Sequence, residues 1–153
     1  MTYPEPAVHQ FIAEHFVPLR LVLNRPEDRQ HFRAFRVIWT PSVVILDRRG
    51  VDHYRSPGYL PPGPFLGLLR IGLARSMLAW ARYDEAASHL EAAAGDGESP
   101  VAPEALYWLG AARYLKVRRR APMMEAWDRL RDRYPESPWA ARIPPNQEEE
   151  PEE

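Results

Sequence analysis

The chain has 153 residues, enough for one ordinary domain or two small ones, and 45% of them are apolar, so a buried core can form. Its 20 basic and 21 acidic residues leave a net charge of −1, which gives no general affinity for nucleic acid or anionic membrane. Cysteine is absent, and that excludes disulfides, Cys-ligated zinc and thiol catalysis within these residues.

The longest apolar run, Phe65 to Ala74, is interrupted by Arg70 and is too short to span a bilayer. Met1 to Pro6 carries neither the basic start nor the apolar stretch of a secretory signal. The expected location is the cytoplasm. Residues 144–153 hold five Glu and no cation, so an acidic tail offsets a weakly basic body.

In chain order, Val8, Phe11, Ile12 and His15 or Phe16 share one face of a helix expected over 7–15, after Pro4 and Pro6. Leu19, Leu21 and Leu23 then alternate with polar or smaller neighbours, which predicts a buried strand over 18–24. Pro26 opens a second helix, 27–35, with Phe32 and Phe35 turned inward. Ser42 to Leu46 is apolar and β-branched, and reads as a buried strand. Asp47 to Gly50 is a hairpin turn, and 51–56 is the returning strand. Gly58 breaks that strand, and Pro61-Pro62 leads into the next helix. The order is αβαββα.

From residue 64 onward the pattern is helical. Helix 64–80 carries Leu66, Leu69, Leu73, Met77 and Trp80 in one stripe, and helices are expected at 83–94, 104–116 and 122–134. Glu85-Ala86…Leu90 recurs forty residues later as Glu125-Ala126…Leu130. With a Tyr134-Pro135 stop, these paired helices resemble tetratricopeptide repeats over about residues 64–142. Three regions follow: 1–63, a helical-repeat region at 64–142, and a disordered acidic tail at 143–153.

The first region resembles a thioredoxin-family domain. The resemblance rests on Trp39-Thr40-Pro41-Ser42-Val43-Val44-Ile45-Leu46-Asp47, on Gly50, and on Tyr54-Arg55-Ser56-Pro57-Gly58-Tyr59-Leu60-Pro61-Pro62. Upstream, the stretch from Tyr3 through Phe11-Ile12 to Phe16-Val17-Pro18-Leu19-Arg20-Leu21 is similar to the family's long helix and the strand that follows it. The implied fold is α/β, a partial thioredoxin-like domain with a C-terminal all-α tetratricopeptide-like extension.

The resemblance further implies a cis bond before Pro41 and a peptide-binding corner at Trp39, Thr40, Pro41 and Gly58, where backbone groups meet an extended partner. The family's Cys-x-x-Cys and its central strand have no counterpart here. Without them, the strand at 42–46 should lie antiparallel to both others or face an empty slot. Two functions follow as expectations. The first is a non-catalytic module that binds protein or extended peptide, with self-association through the incomplete sheet. The alternative is an N-terminally truncated thiol–disulfide oxidoreductase whose cysteines lie upstream of Met1.

No other motif carries chemistry. The five histidines, 9, 15, 31, 53 and 89, form no metal-ligand pair at helical spacing, so no metal or cofactor is expected and no catalytic residue is assigned. Arg118-Arg119-Arg120 reads as a solvated turn between helices, not as a nucleic-acid site. Most of the aromatics from Trp80 to Trp139 are expected in the core.

Overall fold

The computed structural model describes residues 5–95 and 99–145. Among them are six α-helices and one two-stranded antiparallel sheet, a mixed α/β arrangement. Helix α1 (Pro6–His15) begins on a proline and buries Val8 and Phe11. Its end is set locally: Phe16 turns extended, and Pro18 holds Val17 away from helical backbone.

The strand expected over 18–24 does not form. Val17 is 98% exposed, Leu19 70% and Leu23 55%, and the chain there makes local bonds instead. The Val22 N–H donates to Asp28 Oδ2 at 2.7 Å, and the Arg25 N–H donates to the Val22 carbonyl at 3.0 Å. A strand exists only through bonds to a neighbour, and among the described residues no strand lies beside this segment. The observed order is therefore α, α, β, β, α up to the third helix, not αβαββα.

A 3-10 turn at Pro26–Asp28 leads into the short helix α2 (Arg29–Ala34), which buries Phe32 and leaves Phe35 half-buried. Strands β1 (Ser42–Leu46) and β2 (Asp52–Pro57) pair antiparallel, with Val44 opposite Arg55 and Ile45 opposite Tyr54, and an irregularity between Ile45 and Leu46. Asp47 builds the turn between them. Its Oδ1 accepts the Arg49 and Val51 N–H groups at 2.8 and 3.0 Å, and its Oδ2 lies 3.0 Å from His53 Nε2.

Helix α3 (Pro62–Ala79) is the central element and is buried along most of its length. Gly72 lets the sheet approach it, since a Cβ there would sit 2.2 Å from Ile45 Cδ1 and 3.1 Å from Tyr54 Cβ. Helix α1 packs on α3 as well. Helices α4 (Tyr83–Ala94), α5 (Ala102–Val117) and α6 (Arg120–Arg133) continue from α3, each packed on the one before. Small residues make the crossings close: Ala86, Ala105, Ala112 and Ala126 are fully buried, and Gly110 lies against the Trp127 ring.

Two details differ from the pattern of the sequence. Trp80 leaves the apolar stripe of α3 and is 38% exposed, because the helix has ended and its indole lies under the Arg48 and Arg49 guanidinium groups. Ile143, the first residue of the expected tail, is buried in the core, where its apolar side chain is removed from water. The rest of that tail from residue 146 lies outside the described residues.

Candidate functional site

Four residues singled out in the sequence, Trp39, Thr40, Pro41 and Gly58, lie where the two strand ends meet. Ser42 begins β1 opposite Pro57, the last residue of β2, so the segments preceding β1 and following β2 emerge side by side. The Ser42 hydroxyl donates to the Trp39 carbonyl at 2.7 Å, which folds 39–42 into a tight corner. The Thr40–Pro41 bond is cis. The Pro41 carbonyl accepts the Gly58 N–H at 2.8 Å, and Gly58 sits at φ +96°, a conformation that suits glycine. That bond joins Pro41 to Gly58 directly, while Trp39 and Thr40 flank it in the chain.

The corner is open to solvent. Thr40 and Pro41 are exposed, and Trp39 is 67% exposed. Ile38, 97% exposed, and Tyr59, 65% exposed, extend the apolar surface on either side in sequence. Neither was assigned to the corner from the sequence, and the signal was available: both are large apolar residues directly flanking the chosen ones. None of the four corner residues is an acid or base. What they offer is an indole face and backbone groups, which suits binding and supplies no proton transfer.

Polar side chains gather elsewhere. Tyr54 on β2 donates to Glu104 Oε2 on α5 at 2.8 Å, and Arg75 on α3 lies over both the Tyr54 ring (5.4 Å) and the Trp108 ring (4.7 Å). Burial raises the Glu104 carboxyl above its ordinary pKa, against the lowering effect of the Tyr54 hydroxyl. Burial and the nearby Glu104 charge raise the Tyr54 phenol in turn. This cluster joins the sheet to helices α3 and α5. At the hairpin turn, the hydrogen bond from His53 holds Asp47 down at about 2.

A cleft of about 320 Å³ lies between α3 and the end of α4, lined by Gly63, Gly67, Arg70 and Ala93 among others. Among the described residues no three His, Asp or Glu side chains converge as a metal ion would need. No helix of the described residues is long and apolar enough to cross a membrane. The chain matches no protein-family model, no curated protein and no solved structure.

Proposed function

We propose that the protein is a cytoplasmic, non-catalytic interaction module that binds extended segments of other proteins at the Trp39–Pro41 corner. Its architecture, on this reading, is a partial thioredoxin-like domain at 1–63 with a tetratricopeptide-like helical extension at 64–142. The observation that carries the reading is the exposed corner itself. A large indole and two flanking apolar residues stand exposed at a strand junction closed by the Ser42–Trp39 and Gly58–Pro41 hydrogen bonds, with no titratable side chain among the four chosen residues.

Extended peptides bind such places by backbone hydrogen bonding, while an adjacent aromatic supplies apolar contact. The absence of cysteine removes thiol–disulfide exchange from the chain as it stands, since the attacking group must be a thiolate. Nucleic acid and membrane are not part of the proposal.

The test uses fluorescein-labelled random dodecapeptides read by fluorescence anisotropy. The expected result is selection of apolar, extended sequences, with at least a tenfold loss of affinity in Trp39→Ala and an unchanged melting temperature. A library that yields no binder, or binding indifferent to Trp39→Ala, overturns the reading. Insulin reduction by the 153-residue chain is expected to stay at the buffer rate.

A further inference from the structure

Strand β1 is bonded on one edge only. It pairs with β2, and among the described residues no other backbone group bonds to it along its length. Soluble proteins ordinarily protect such an edge with charges, prolines, bulges or a covering element. Ser42-Val43-Val44-Ile45-Leu46 contains no charge and no proline. Pro41 stands immediately before it, and the one irregularity, between Ile45 and Leu46, lies in its pairing with β2.

We infer that this edge is an interface between two copies of the chain, in which β1 pairs antiparallel with β1 of its twin about a two-fold axis at Val44. The axis follows from the strand's own limits. Side-by-side pairing of identical strands about a two-fold is antiparallel, and each contact is self-complementary. Centring on Val44 sets Val44 against its twin, Val43 against Ile45 and Ser42 against Leu46. Centring one residue earlier would bring Pro41, which has no N–H, into the ladder. Centring one residue later would bring in Asp47, whose carboxylate is already committed to the turn and to His53. A half-step slip would set core-facing side chains against outward ones.

The charge pattern favours the same occupant. The paired stretch is uncharged, and the whole chain carries only −1, so two copies meet without appreciable repulsion. Exposed Ile38 and Trp39, adjoining the start of β1, add apolar surface at the same end. Pairing also extends a two-stranded sheet, covered by α3, into a four-stranded one. The inference does not rest on the peptide-binding reading, and each can fail without the other.

The chain lacks cysteine, so a single introduced thiol reports the register without interference. Opposed residues in an antiparallel pair have Cα atoms about 4.5–5.5 Å apart, within disulfide reach. Under mild oxidation Val44→Cys is expected to give a covalent dimer, and Arg55→Cys, on the same sheet face but in β2, is not. Light scattering of the native chain is expected to give about twice 17.7 kDa, dissociating on dilution. Val44→Glu is expected to be monomeric: it sets like charges opposite each other at the axis while facing Arg55 within its own fold. Should Val44→Glu unfold, the cross-linking comparison still decides.

Several outcomes would overturn the inference: a monomer at every concentration, equal cross-linking from Arg55→Cys, or a dimer that survives Val44→Glu in folded form. A monomer whose Val44 amide resonance moves only when an extended dodecapeptide is added would assign the edge to a peptide instead. It would equally end the proposal.

Discussion

Residues 62–133 and residues 5–61 obey the same physics with opposite results. The helical portion holds Leu68, Ile71, Leu90, Leu106, Leu109 and Leu130, all essentially inaccessible, whereas the earlier portion contributes only Val8 to that set. The earlier portion instead shows Val17, Leu19, Leu23, Ile38 and Trp39 to solvent. Aromatic content does not explain the contrast, because each portion carries seven aromatic residues. Backbone bonding does. A helix satisfies its own N–H and C=O groups and needs a neighbour only to cover one face. A strand needs a neighbour for its backbone as well, and 17–24 has none among the described residues.

The largest effect that would break this comparison is expected at the helical centre. Leu106→Ala removes a fully buried side chain between packed helices and should cost about 2–5 kcal/mol in urea unfolding. A cost well below 1 kcal/mol would mean that the α3–α6 array is not the stabilising core. A smaller loss is expected at the junction of the two portions. Tyr54→Phe removes the hydrogen bond to Glu104 and leaves a half-buried carboxyl short of a donor, at about 1–3 kcal/mol. If the same substitution changed nothing, sheet and helices would be held together without help from this hydrogen bond.

The hairpin sharpens the comparison through pH. Asp47 lies near 2 in the folded chain against an ordinary 3.8, chiefly because of the His53 hydrogen bond. A depressed folded pKa means that its contribution is complete above about pH 4 and is lost as pH falls through about 2. Melting temperatures are expected to drop across that window and to drop less steeply in Asp47→Asn. Glu85 and Glu91, lowered by Arg82 and Arg129, act in the same direction, so the slope in the variant should shrink without vanishing.

How far the sequence could be read follows the same division. Apolar spacing located every helix of the 62–133 portion within about two residues, because i, i+3, i+4 periodicity is a property of one segment. The hairpin was legible for a related reason: Asp47-Arg-Arg-Gly50 brings its own two strands together. The alternation of Leu19, Leu21 and Leu23 was real but incomplete information. It describes a segment able to be a strand and is silent on whether a partner stands beside it. At the candidate site, Trp39, Thr40 and Pro41 were marked as a run, and Gly58 was tied to them by resemblance alone. The Pro41–Gly58 hydrogen bond could not be seen in spacing, since it depends on the register of β1 against β2.

The smallest expected effect tests the exposed segment itself. At 98% and 70% exposure, Val17 and Leu19 have nearly as much contact with water as in the unfolded chain, so replacing each by serine removes little burial. Val17→Ser and Leu19→Ser should each change stability by no more than about 0.5 kcal/mol, as surface substitutions do. Urea melts at two protein concentrations provide the check. A cost several times larger at both concentrations would mean that 17–24 is covered within one chain, and the contrast drawn between the two portions would fail. A cost that appears only at the higher concentration would place these side chains under a second copy. The interface would then extend from the β1 edge to the segment whose own strand never formed.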